Sequence, residues 1–340
     1  MKLSPAVLLL TASLVSVSAQ PPAAAPVIPA LPSLPATKPS KPATPPKPVP
    51  TGPTPTLANV AYGSDSRQVL DFWKADTTGP APLLFFIHGG GWINGDKNSV
   101  LNNGCAAYLK AGISVVSIHY RFVPAARAAG IKPPVSWPLA DAARALQFVR
   151  SKAREWNLDK TRIAASGGSA GACSGLWLAF HPDMADPAST DPVARESTRL
   201  ACAAAGGAQT TLDPEQMKQW IPNSNYGGHA FGFSTTPDKK SQFQNFLEGR
   251  DTIIRWIREY SPCGLVTSDD PPVYLYYAAA PAFGQAQKDP THSANFGVGL
   301  MQKLKTAGVS AELQYPGATG VNHQTIQDFV IAKLTGQPPH

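Results

Sequence analysis

Two glycine-rich stretches carry the residues best suited to chemistry. Gly167-Gly168-Ser169-Ala170-Gly171 is a G-x-S-x-G pentapeptide. A short β-prone run, Thr161 to Ser166, precedes it, and an apolar stretch at helical spacing, Ala172 to Phe180, follows. Strand, tight turn and helix together make the setting of a nucleophile elbow. Flanking glycines permit the strained turn, and the helix N-terminus aims free N–H groups at the serine. The second stretch, His88-Gly89-Gly90-Gly91-Trp92, follows a buried apolar run. Acyl transfer builds negative charge on a carbonyl oxygen, which preorganised N–H donors must meet. Gly90, Gly91 and Ala170 are the expected donors of that oxyanion hole. A phosphate cradle would need G-x-x-x-x-G-K-[ST], which is absent.

A serine nucleophile needs a base and an orienting acid. Of seven histidines, His323 sits between the last expected strand (311–315) and the closing helix (323–334), and is the expected base. His119 and His181 end a strand and a helix and read as structural. His229 lies in a variable segment and could line the substrate site. The acid should follow the strand at 273–278, which favours Asp289. Asp269 and Asp270 precede that strand and are the alternatives. His292, close to Asp289, either contacts the triad or caps a helix. Trp92 and Tyr226 are the expected substrate-lining aromatics, and Trp220 reads as ordinary packing. Asp71, Asp96 and Asp141 read as structural.

The remaining elements must hold these groups at one edge of a sheet. Leu57–Tyr62 and Val69–Trp73 read as a hairpin; 82–87, 113–119, 162–165, 200–208, 273–278 and 311–315 read as further strands. Helices are expected at 99–111, 138–156, 240–260, 293–307 and 323–334. Strands alternating with helices imply a mostly parallel eight-stranded sheet covered on both faces. Residues 212–266 interrupt that rhythm and form a lid-like insertion.

Chain order Ser169, Asp289, His323, with His88 to Trp92 and the elbow, resembles the α/β-hydrolase superfamily. The glycine motifs look like the carboxylesterase and hormone-sensitive-lipase-like branch. Tyr62-Gly63, Val69-Leu70-Asp71 and Gly95-Asp96-Lys97 are similar to secreted bacterial carbohydrate and feruloyl esterases. Asp289-Pro290-Thr291-His292 with Asn295-Phe296-Gly297 looks like a tail found in exported, xylan-associated members. The resemblance implies an α/β-hydrolase fold across 57–340 and serine ester hydrolysis without metal or cofactor. One departure stands out: the usual His-Gly-x-x-Asp is here Ala278-Ala279-Ala280-Pro281, with the aspartate displaced to 289.

Composition bounds the rest. Residues 1–19 read as a secretory signal peptide, with Lys2, an apolar stretch from Ala6 to Val15, and Val17-Ser18-Ala19 before the cut. Secretion or periplasmic export is therefore expected, with no membrane span after cleavage. Residues 20–56 hold 14 prolines, three lysines and no acids, the composition of an extended spacer. The net charge of +7 shrinks to +3 once residues 1–56, with four lysines and no acids, are set aside. Nothing here points to nucleic acid. Four cysteines allow disulfides in an exported chain, and Cys202–Cys263 would close the loop around the insertion. The expected substrate is an acetyl or feruloyl ester of plant polysaccharide. A general short-chain carboxylesterase or lipase, an aminopeptidase-like amidase and a tethered binding module are the alternatives.

Overall fold

The computed structural model describes residues 51–237 and 240–336. The expected signal peptide lies outside them, as does the spacer up to residue 50. The last residues of that spacer already touch the folded part: the Pro53 carbonyl accepts from Trp73 Nε1 at 2.8 Å.

Eight strands form one sheet: β1 (Leu57–Ala61), β2 (Val69–Trp73), β3 (Ala81–Ile87), β4 (Ser114–Ile118), β5 (Leu158–Gly168), β6 (Cys202–Gly206), β7 (Val273–Tyr276) and β8 (Ala311–Gln314). Their order is β1-β2-β4-β3-β5-β6-β7-β8. The first two pairings are antiparallel and the rest parallel, as the sequence pattern implies. The seven side chains of β3 are all buried, because helices cover both faces. Alternation sends Leu83, Phe85 and Ile87 into one apolar cluster and Leu84 and Phe86 into the other.

The helix expected at 240–260 is three short elements (Gln242–Glu248, Arg250–Ile253 and Ile254–Tyr260), and three further boundaries differ from expectation for local reasons. The helix expected at 99–111 breaks at Gly104, whose φ of 89° ends a 3₁₀ turn (Lys97–Asn102) before a short helix (Cys105–Lys110). The strand leading to the elbow is longer than expected, because β5 pairs with both β3 and β6 up to Gly167 and Gly168. The final helix spans Ile326–Thr335, not 323 onward, because Thr325 and Asp328 form a capping box at its start. His323 is thereby left in the preceding loop.

All four cysteines are free and buried. Cys202 belongs to the apolar cluster on one face of the sheet and Cys263 to the cluster on the other, so the expected bridge between them does not form. Asp71, Asp96 and Asp141 have the structural roles assigned to them. Asp71 binds Lys97 Nζ at 2.7 Å with both groups buried, Asp96 caps the 3₁₀ turn, and Asp141 holds Arg121 and Gln68. Among the described residues, no helix is long and apolar enough to cross a membrane.

Candidate active site

Ser169 occupies a sharp turn between β5 and the helix Ala170–Phe180, with φ 54° and ψ −123°. A non-glycine residue held there carries strain of about 1–3 kcal/mol. The surroundings enforce it. The Ser169 N–H donates to the Gly206 carbonyl at 2.8 Å, and its own carbonyl accepts from Cys173 N. A Cβ on Gly171 would lie 2.0 Å from the Ile87 carbonyl oxygen, and one on Gly167 2.3 Å from the same atom. These two glycines therefore allow the elbow to press against the end of β3.

The glycine loop abuts the elbow: a Cβ on Gly89 would lie 2.7 Å from the Gly168 carbonyl oxygen and 3.4 Å from Ser169 Cβ. Two peptide planes in this loop are fixed from behind. His88 Nδ1–H donates to the Gly89 carbonyl at 2.7 Å, and Tyr120 Oη reaches the same oxygen at 3.3 Å. A trans peptide points its N–H opposite its C=O, so the Gly90 N–H is turned the other way. The Gly90 carbonyl in turn accepts from the N–H groups of Ile93 (3.0 Å) and Asn94 (3.2 Å), which orients the Gly91 N–H. Ala170 is the first helical residue, so its N–H lies outside the helical ladder.

His88 was not singled out by sequence reasoning as a site residue. Its ring is 1% exposed and stacks on Tyr120 with centroids 4.3 Å apart. Burial pushes its pKa down to about 4 despite the Gly89 hydrogen bond, so the imidazole is neutral. Since Gly89 offers only an acceptor, the proton sits on Nδ1. The His-Gly-Gly-Gly pattern was the available signal.

Structure and expectation part at the histidine beside Ser169. Ser169 Oγ is hydrogen-bonded to His292 Nε2 at 2.9 Å. His292 Nδ1 is 2.9 Å from Asp289 Oδ2. The other Asp289 oxygen accepts from the backbone N–H groups of Thr291 (3.1 Å) and His292 (3.2 Å). Carboxylate and imidazole thus share one turn, Asp289-Pro290-Thr291-His292, after β7. Burial alone would raise the Asp289 carboxyl. The His292 contact and the two N–H donors outweigh it and hold the pKa below the usual carboxylate value. Both side chains are open to solvent, His292 at 42% and Asp289 at 62%.

His323, the expected base, is elsewhere. The loop after β8 folds back along the strand, so His323 Nδ1 meets Glu312 Oε1 at 2.7 Å and its backbone N–H meets Glu312 Oε2 at 3.0 Å. Its carbonyl accepts from Tyr274 Oη, and its ring packs edge-on against Phe329. Among the described residues, the polar partner of the 8%-exposed side chain is Glu312. Asp269 binds Arg199 and Thr267, and Asp270 binds Thr267, both ahead of β7 and remote from the serine turn.

Trp92 does not line a substrate site. Its φ of 58° turns it inward; it is wholly buried and donates from Nε1 to Ser174 Oγ on the elbow helix at 3.0 Å. Tyr226 does approach the glycine loop: a Cβ on Gly91 would lie 3.7 Å from its hydroxyl and 3.8 Å from His229 Nε2. His229 also donates to the Gly91 carbonyl at 2.8 Å, so the insertion braces the loop directly. Trp220 packs against Phe283 and Phe296.

Beside the serine turn a hollow of about 840 Å³ opens, lined by Gly206, Gly207, Tyr276, Asp289 and His292 among others.

This sheet order, with a strained serine at its centre and glycine donors beside it, defines the α/β-hydrolase fold. The BD-FAE family model matches residues 70–280, and the chain belongs to that family. The match ends before Asp289 and His292. Esterase LipC of Mycobacterium tuberculosis is 27% identical over 232 residues, covering 65% of this chain and 50% of that protein. The probable carboxylic ester hydrolase LipM of the same organism is 33% identical over 131 residues, covering 37% of this chain and 28% of that one. The chain thus spans half or less of these curated relatives. Among solved structures, a truncated carbohydrate esterase from gut microbiota matches with a TM-score of 0.61 at 19% identity, over 84% of this chain and 98% of that one. An acetyl ester-xyloside bifunctional hydrolase from Caldicellulosiruptor lactoaceticus matches with a TM-score of 0.53 at 23% identity, over 73% of this chain and 77% of that one. At these identities the structural likeness speaks for the fold alone.

Proposed function

We propose that the protein is an exported serine ester hydrolase whose triad is Ser169, His292 and Asp289. The observation that carries this is the continuous relay from Ser169 Oγ to His292 Nε2 and from His292 Nδ1 to Asp289, each link 2.9 Å long. His292 removes the serine proton as Oγ attacks the ester carbonyl. The N–H groups of Gly90, Gly91 and Ala170 receive the oxyanion. His292 then hands the proton to the leaving alcohol, and water, activated by the same imidazole, releases the acyl group. Asp289 holds the Nδ1–H tautomer and stabilises the imidazolium. No step calls for a metal or cofactor.

The favoured substrates are acetyl or feruloyl esters of plant polysaccharide. The open triad suits a bulky alcohol, and the names of relatives and structural neighbours, carboxylic ester hydrolases and carbohydrate esterases, support the ester class. The nearness of Tyr226 and His229 to Gly91 narrows the acyl side and favours acetyl over feruloyl. The leader-like residues 1–19 support export, the route to such a polymer. The test is cleavage of 4-nitrophenyl acetate, methyl ferulate and acetylated xylan by the chain and by Ser169→Ala. Turnover of acetyl or feruloyl esters that vanishes in the variant is expected; turnover that survives refutes the nucleophile.

A further inference from the structure

The hollow beside His292 does not end at the triad. A second hollow of about 470 Å³ adjoins it and shares Asn103, Gly167, Tyr276 and Ile326 with it. Together they make a trough from Asp289 and His292 past the ends of β6 and β7 to the loop after β8. Two volumes of this size fall within the roughly 300–1,000 Å³ typical of ligand sites.

The chemistry of the far hollow is unusual for this chain. No carboxylate, ammonium, guanidinium or imidazole lines it, although 15% of the chain is charged. Its walls instead carry the amides of Asn102, Gln314, Gln324 and Gln327 and the phenols of Tyr276 and Tyr315. Among the described residues, none of these six side chains has a hydrogen-bond partner in the protein. Each amide offers donors and an acceptor together, and so matches a sugar hydroxyl, which does both. An anionic ligand would call for arginine or lysine, and a fatty acyl chain for continuous apolar walls.

Tyr276 is the link. Its neighbours Tyr274 and Tyr277 are buried, yet Tyr276 is 40% exposed where the two hollows meet. It offers an aromatic face of the kind on which the C–H face of a pyranose ring packs.

The direction of the trough assigns its occupant. In the relay above, His292 Nε2 returns the proton to the leaving oxygen, so the alcohol of the ester must lie on the His292 side. The trough opens on that side, away from Gly91. We infer that it is a subsite for the main chain of a neutral glycan, which supplies the alcohol of the scissile ester, with Tyr276 as its stacking platform and the four amides as its hydrogen-bonding wall. The orientation rests on the proposed hydrolase reading; the binding of the glycan does not need turnover.

The test therefore uses unesterified sugar. The whole chain is titrated calorimetrically with xylotetraose, cellotetraose and mannotetraose, and with tetragalacturonate as the anionic control. At least one neutral tetrasaccharide should bind saturably and more tightly than tetragalacturonate. Its affinity should fall about tenfold or more in Tyr276→Ala and in Gln314→Ala, and stay within about threefold of wild type in Tyr276→Phe, which keeps the ring face. Gln314→Ala sits on a different strand, so the inference stays testable if Tyr276→Ala fails to fold. Failure of all three neutral sugars to bind, or binding indifferent to both alanine variants, overturns the inference, as does preference for the anion. Ser169-dependent cleavage of 4-nitrophenyl acetate is scored separately: its absence with sugar binding intact overturns the hydrolase reading and leaves the subsite standing.

Discussion

His88 makes a sharp prediction because its contribution to rate and its contribution to stability can be read apart. It touches no reacting atom. It aims the Gly90 N–H by holding the Gly89 carbonyl at 2.7 Å; among the described residues the one other side chain on that oxygen, Tyr120, is at 3.3 Å. His88→Ala frees that peptide plane. Losing an oxyanion donor outright costs about 10²–10³-fold in kcat; a mis-aimed donor should cost somewhat less, about 10–100-fold, with KM for a small ester little changed. His88→Asn keeps an N–H near the Nδ1 position and should recover most of that loss. The pH dependence supplies the second readout. The folded imidazole has a pKa of about 4 against an ordinary 6.5, chiefly from burial. Between those values the unfolded chain binds a proton that the folded one refuses. The stabilising contribution is therefore complete above pH 6.5 and is lost as pH falls towards 4, by about 3 kcal/mol in all. His119, also pushed down to about 4 chiefly by burial, acts in the same sense. His88→Asn should flatten part of the decline in melting temperature between pH 6.5 and 4; His119 and His229, both lowered chiefly by burial, contribute to what remains. The assays are steady-state kinetics on 4-nitrophenyl acetate and thermal melts across pH. A kcat for His88→Ala within threefold of wild type would refute the positioning argument, and an unchanged pH slope in His88→Asn would refute the buried neutral imidazole.

Three further outcomes follow from the same geometry. Gly171→Ala puts a Cβ 2.0 Å from the Ile87 carbonyl oxygen, and backbone must move; destabilisation of about 1–3 kcal/mol or more, read by denaturant melts, is expected together with lost turnover. Lys97→Met strands the Asp71 carboxylate in a buried pocket and should cost about 3–5 kcal/mol in the same melts, while kcat of the folded fraction is retained. Asp289→Asn replaces the Nδ1–H acceptor with an amide and should lower kcat by about 10²–10⁴-fold with little change in melting temperature, because Asp289 is exposed; unaltered kcat would remove it from the relay.

Most of the sheet could be read from the chain because its strands are short apolar runs between turn residues, a pattern set locally by burial on both faces. The elbow and the glycine loop were equally legible, since backbone strain and close approach demand glycine at fixed places. The base was not. Reasoning from topology puts it after the last strand, and His323 stands there; only the fold shows that the following loop doubles back to pair His323 with Glu312. The signal for His292 was local: an aspartate three residues ahead of a histidine can accept both backbone N–H groups and the ring N–H in one turn, as Asp289 does. Trp92 misled for a different reason. An aromatic beside an oxyanion loop reads as a pocket wall, whereas its left-handed backbone, stabilised by the Ser174 contact, turns the ring inward. The boundaries at Gly104 and Thr325 were set by one left-handed glycine and one capping box, features that periodicity averages over.

The proposed relay stands or falls on the pairing of Ser169 with His292. Its most direct test is kcat/KM on 4-nitrophenyl acetate for His292→Ala beside His323→Ala. A fall of about 10²–10⁴-fold is expected for the first. For the second, near-wild-type turnover with a lowered melting temperature is expected, since Glu312 loses its buried partner. Retained activity in His292→Ala with loss in a folded His323→Ala would contradict the pairing.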